Sequence, residues 1–138
     1  TGSKVIHNAP NTTSNINSKS ISKDGGVCIY RGSVVIGEKA EGAKSNVSCE
    51  SLMLDEQSQS DTIPAIVIKN DNVDLGHEAK IGRISDEAIF YLMSRGLSED
   101  EARAMLVRGF VEPVSKALPL EYAVEMNNLI NLELKGSM

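Results

Sequence analysis

Residues 11–22 read NTTSNINSKSIS, and they decide the fold. Thr13, Asn15, Asn17 and Lys19 alternate with Ser14, Ile16, Ser18 and Ser20, which is the period of a β-strand, yet neither set offers much to bury. A strand with small polar residues on both faces is weakly specified alone and needs neighbours above and below it. A sandwich strand would alternate polar and apolar residues more strongly, whereas a stacked solenoid can line part of its interior with Ser, Asn and Thr ladders. No sharp repeat is visible, so the pattern alone leaves a solenoid and a sandwich or barrel both open.

The segments around this stretch are β-branched and short. Lys4 to His7, Val27 to Tyr30, Ser33 to Ile36, Val47 to Leu54, Ile63 to Ile68 and Val73 to Leu75 read as strands. Polar, glycine-bearing turns separate them, among them Lys23-Asp24-Gly25-Gly26 and the run from Gly37 to Gly42. Gly32, inside CIYRGSVVI, predicts a bend or bulge.

Past Ile84 the period becomes helical. Ser85 is placed as an N-cap, with Asp86 and Glu87 in the first turn, Ala88, Ile89, Leu92 and Met93 on one face, and Gly96 as the stop. Ser98-Glu99-Asp100-Glu101 has the capping-box form ahead of Ala102, Met105, Leu106 and Phe110, and Pro113 is expected to kink or end that helix. Pro119 suits the first position of a third helix through Tyr122, Met126, Leu129, Ile130 and Leu134, with Gly136 after it. The expected organisation is a mainly β region, 1–84, followed by a three-helix region, 85–138.

Composition narrows the function classes. The chain has 138 residues, 41% of them hydrophobic, which is ordinary for a soluble globular protein. No apolar run approaches the roughly 20 residues of a membrane span, and the first residues do not resemble a signal peptide, so an intracellular, soluble protein is expected. The 2 cysteines are too few for a disulfide framework and read as thiols of a reducing compartment. The net charge of -5 comes with no basic cluster, which argues against nucleic acid and anionic membranes as partners.

Three side chains carry candidate chemistry. Cys49 in VSCESLML supplies a soft sulfur ligand, His77 in LGHEAKIG a borderline nitrogen, and Glu78 a hard oxygen, a set suited to transition-metal or iron-sulfur chemistry. Each also has an ordinary reading: a strand cysteine is most often a small buried hydrophobe, and a His-Glu pair is an ordinary polar strand end. Cys28, between Val27 and Ile29, reads as a core thiol, and His7 as a surface or satisfied histidine.

The runs SKSISKDGG, YRG, CESLMLDEQSQSDTIPAIVIKNDNVDLGHEAKIGRIS, IFYLMSRGLSEDEA and LPLEYAVEMNNLINLELKGSM resemble, in order and spacing, the C-terminal part of the SufB/SufD family, the scaffold subunits of the SUF iron-sulfur cluster assembly system. The resemblance implies a fragment: the end of a right-handed parallel β-helix, with coils of roughly twenty residues, followed by a small helical region. On such coils Cys49 would precede Glu78 by about one and a half turns of the solenoid.

It also implies that Cys49 is the cysteine needed to build a nascent, transient iron-sulfur cluster near the interface between subunits, and that Glu78 and His77 belong to the same site. Gly76 departs from the acidic residue that some members carry in an LEHEA run. Glu78 marks the SufB side of the family, since SufD-like sequences tend to read His-Gly there. The implied partners are the ATPase SufC through residues 85–138, SufD or a second SufB through the β-helix, and sulfur donor proteins. The implied location is the cytoplasm or an organelle interior such as a plastid, with no cluster held stably by the isolated fragment.

No G-x-x-x-x-G-K-S/T loop is present, so ATP hydrolysis is expected of a separate subunit and the chain is expected to be a non-enzymatic scaffold. The alternatives are a SufD-like interaction subunit that contributes no ligand, and a β-solenoid of unrelated binding function such as glycan binding. An aromatic content of 4% with no Trp disfavours the glycan reading.

Overall fold

The computed structural model describes residues 1–135. The chain forms β1 (Gly2–His7), β2 (Thr13–Ser22), β3 (Val27–Ile36), β4 (Lys44–Met53), β5 (Gln59–Ile68) and β6 (Asp74–Arg83). Helices α1 (Asp86–Ser94), α2 (Glu99–Ala117) and α3 (Leu120–Lys135) follow. Two compact units result, Thr1–Arg83 and the residues from Ile84 onward.

The strands build two three-stranded sheets in the orders β1-β3-β5 and β2-β4-β6, and every pairing is parallel. Each strand therefore pairs with the next but one. Paired positions are 29 residues apart between β1 and β3, 31 between β2 and β4, 32 between β3 and β5, and 30 between β4 and β6. The repeat is close to thirty residues rather than the expected twenty, because most repeats hold two strands of 10 residues as well as two turns.

The polar strand β2 acquires its register from β4, which pairs with it from Thr13↔Lys44 through Ser22↔Met53. On the inner face the Ser14 hydroxyl donates to Ser45 Oγ at 2.8 Å, and the Ser20 and Ser51 hydroxyls bond at 2.7 Å. A one-residue slip would break these pairs and turn Ile16 outward. On the outer face Lys19 Nζ donates to Glu50 Oε2 at 2.6 Å. The apolar core between the sheets holds Tyr30, Val34, Ile36, Ala40, Ala43, Val47 and Cys49, with Ile16, Val73 and Leu75 packed against it.

Gly32 makes no bulge. The β1–β3 and β3–β5 registers run unbroken through Ser3↔Gly32 and Gly32↔Pro64. Its missing side chain leaves room for the Tyr30 ring, since a Cβ there would lie 3.1 Å from Tyr30 Cε1. The turns are stapled between repeats as well. The Asp55 carboxylate accepts from the Asp24 N–H and, within its own turn, from the Gln57 and Ser58 N–H groups and the Ser58 hydroxyl. Asn70 Nδ2 donates to the Glu38 carbonyl at 2.9 Å.

In the helical unit Ser85 caps α1 by accepting from Ala88 N–H, and Ser98 with Glu101 completes the capping box of α2. Ile89, Ala102 and Val107 are buried, while Met105, Tyr122 and Leu129, expected on buried faces, are exposed. Pro113 does not end α2, which runs on to Ala117. Pro119 precedes α3 rather than opening it, and its carbonyl accepts from Ala123 N–H at 3.0 Å. Gly136 lies outside the described residues. Among the described residues no helix is long and apolar enough to cross a membrane.

Candidate functional site

Cys49 sits in the middle of β4, beside Ser18 on β2 and Ala79 on β6. Ser45, Val47, Cys49 and Ser51 are buried and alternate with less buried neighbours, so the thiol faces inward with the core. It is 3% exposed, and burial pushes its pKa above the ordinary thiol value because a thiolate would be poorly solvated there. In this state it is a weak nucleophile and a poor metal ligand.

His77 and Glu78 lie within β6, not at the strand end that their polarity suggests, because β6 runs on to Arg83. His77 pairs with Val47 and therefore shares the face of Cys49, two residues along the ladder, at a Cα separation of about 8 Å from ideal strand spacings. Glu78 pairs with Ser48 and faces the other way. The register thus brings all three residues to neighbouring positions of one strand pair, but it sends the carboxylate to the opposite face from the thiol and the imidazole. Both His77 and Glu78 are exposed, as expected for an edge strand.

Glu78 already has a partner that the sequence reading did not single out. Lys80 Nζ lies 2.9 Å from Glu78 Oε1. The hydrogen bond to Glu78, then its charge, and to a smaller degree Glu50, raise the Lys80 pKa above the usual lysine value. Lys80 is also in register with Glu50, which Lys19 holds on the other side, so the outer face carries a ladder of alternating charge. The signal was legible: residues 78 and 80 share a face at strand period two and have opposite charge.

Gly76 opens a gap in this face. A Cβ there would lie 2.7 Å from Asn46 Oδ1, so a larger residue at 76 would have to displace that side chain. Asn15, Asn46 and Gly76 line a shallow cleft of about 380 Å³ across the start of β2, β4 and β6. Among the described residues no three of His, Cys, Asp and Glu converge to hold a metal ion. His7 is buried and satisfied, with Nδ1 2.7 Å from Thr12 Oγ1 and Nε2 2.8 Å from Ser14 Oγ. Cys28 is half-buried on β3.

Comparison with known proteins gives a consistent result. The family model described as SUF system FeS cluster assembly, SufBD core domain, matches residues 1–110. The iron-sulfur cluster assembly protein SufB of Bacillus subtilis is 60% identical over 137 residues, which covers 99% of this chain and 30% of that protein. Iron-sulfur cluster assembly SufBD family proteins of Staphylococcus saprophyticus and Staphylococcus aureus are 60% and 59% identical, with the same shares covered. The chain spans about 30% of the length of these curated relatives.

Proposed function

Since this chain belongs to the SufBD family of the SUF iron-sulfur cluster assembly system, we propose that it forms part of a SufB-type scaffold on which sulfur and iron are combined. The parallel pairing at intervals of 29 to 32 residues supports reading the strand unit as a stretch of right-handed parallel β-helix. In this proposal Cys49 accepts sulfur or ligates iron, Glu78 offers an oxygen ligand to incoming iron, and His77 a nitrogen ligand or proton acceptor. The cluster is cargo, built and passed on, and the isolated chain does not retain it. The chain acts as a scaffold without an activity of its own.

The observation that carries the reading is the register Ser48↔Glu78 and Cys49↔Ala79. It sets the thiol and the carboxylate one position apart on a single strand pair, whereas coils of twenty residues would have separated them along the solenoid. Because they face opposite ways, the remaining ligands come from another subunit, SufD or a second SufB, against the strand unit. Residues 85–138 dock the ATPase SufC, and ATP hydrolysis on that subunit changes access to Cys49. The exposed Phe90, Tyr91, Leu120 and Tyr122 offer the apolar surface such docking needs. The compartment is the cytoplasm or an organelle interior.

A second reading has an observation in its favour. A thiol that is 3% exposed and a carboxylate paired with Lys80 suit a SufD-like interaction subunit that supplies no ligand. Iron-sulfur reconstitution of the complete scaffold separates the two. Cys49→Ser and Glu78→Ala each reduce cluster formation at least about tenfold if the first reading holds. Undiminished cluster formation in both variants, with SufC binding retained, establishes the second.

A further inference from the structure

We infer that the outer face of the β1-β3-β5 sheet is a docking surface for an amphipathic helix of a partner protein, one whose apolar stripe is bordered by aspartates or glutamates. The register sets Ile6, Val35 and Val67 side by side across this face, and Arg31 beside Ile63 four residues away along the strands. These positions alternate with the buried Tyr30, Val34 and Ile36, so they point outward, and Ile6, Ile63 and Val67 are exposed.

The strands of this sheet read as if both of their faces were covered. β5 ends in the unbroken run Ile63-Pro64-Ala65-Ile66-Val67-Ile68, and β3 ends in Val34-Val35-Ile36. Near-continuous apolar runs of this kind belong to parallel strands buried on both sides, and an exposed apolar patch of contiguous residues marks an interaction surface. The other sheet shows what a face left to water looks like. Its outer rows are Asn15, Asn46 and Gly76, then Lys19, Glu50 and Lys80.

The charges on the apolar face select the partner. The outward positions of its three strands hold Lys4 and Arg31 against one acid, Asp61, and the exposed Lys69 follows at the end of β5. Among the described residues none of these three cations has an ion-pair partner, whereas Lys19 and Lys80 on the other sheet each hold a carboxylate. In a chain of net charge -5, an apolar band edged by unpaired cations complements an apolar stripe edged by acids. Three strands spaced about 4.8 Å apart make the band about 10 Å wide, which is the diameter of one helix. Helices are also a common cover for the apolar face of a sheet. The surface is separate from the site at Cys49 and from the residues proposed to dock SufC, so it does not depend on either.

The test uses the full chain and two fluorescent synthetic peptides of about five helical turns. Both carry the same leucine stripe at i, i+3, i+4 and i+7, bordered by glutamates in one and by lysines in the other. Fluorescence anisotropy is expected to show the glutamate peptide binding at least about tenfold more tightly, with the preference shrinking at high salt. Val67→Glu is expected to weaken that binding at least about tenfold, whereas Ser48→Glu on the outer face of the other sheet leaves it in place. The double variant Lys4→Glu/Arg31→Glu is expected to prefer the lysine peptide, a gain that a misfolded chain would not show. No binding of the glutamate peptide, equal affinity for both peptides, or undiminished binding in Val67→Glu overturns the inference. Self-association of the chain that Val67→Glu abolishes, measured by sedimentation, assigns the face to a second copy and overturns it as well.

Discussion

The inner and outer faces of the β2-β4-β6 sheet are built from the same strands and the same register, yet they treat their polar groups in opposite ways. Inside, serine hydroxyls of facing strands pair with one another and burial raises the pKa of the Cys49 thiol. Outside, the half-buried Lys19 and Glu50 and the exposed Lys80 form a charged ladder, with Glu78 held by Lys80. The difference teaches that adjacency in register is not adjacency in space. The one-residue step from Ser48 to Cys49 crosses the sheet, and a site using both Cys49 and Glu78 has to draw on both of its sides or on its edge.

The comparison breaks most severely if charge is moved across the sheet. Val47→Asp puts an unpaired carboxylate in the core and is expected to cost about 3–5 kcal/mol, whereas Ser48→Asp, one residue on, costs less than about 1 kcal/mol. Denaturant unfolding of both variants measures this, and equal costs would mean that the two faces are not distinct.

The thiols give the next largest effect. Iodoacetamide at neutral pH is expected to label Cys49 at least about tenfold more slowly than the half-buried Cys28, with equal rates in denaturant. The raised Cys49 pKa also fixes a pH dependence. The folded state holds the proton more tightly than the unfolded chain, so this contribution is complete below the ordinary thiol pKa. It is lost as the pH rises from there through the folded value. Cys49→Ala should flatten the alkaline fall in stability, measured by thermal unfolding.

At acid pH the turn between β4 and β5 supplies the opposite sign. Burial alone would raise the Asp55 pKa, but hydrogen bonds from the Ser58 hydroxyl and from the Ser58, Asp24 and Gln57 N–H groups outweigh it and hold the pKa below the ordinary value. Its contribution is present above the unfolded carboxylate pKa and lost as the pH falls through the folded one. Asp55→Asn is expected to lose stability at neutral pH and to show a shallower acid transition. The smallest effect belongs to the outer ladder. Lys80→Ala exposes the Glu78 carboxylate and leaves the melting temperature unchanged, while metal titration of the variant should show tighter divalent binding at Glu78.

Strand identity was legible wherever β-branched residues ran between turns, and the helix caps Ser85 and Ser98 were legible because their chemistry is local. The thirty-residue repeat was not legible, because pairing is set by backbone register between segments whose side chains do not resemble one another. The sequence predicts a strand only as far as Leu75, whereas β6 runs to Arg83; Gly76 interrupts the β-branched run, although the period-two charge pair Glu78 and Lys80 beyond it is consistent with a strand. The same holds for the site. Cys49, His77 and Glu78 were recognisable by type and by family resemblance, but which face each occupies depends on a register that no local pattern encodes.

The central claim is that Cys49 serves a site whose remaining parts are brought to it by assembly. The most direct measurement is the rate of Cys49 alkylation in the free chain and in the proposed complex of the complete scaffold with a partner subunit and SufC, before and after addition of ATP. The account predicts slow labelling in the free chain and an acceleration of at least about tenfold in the assembled, ATP-treated complex. Equal rates in every state, with cluster formation intact, would contradict it.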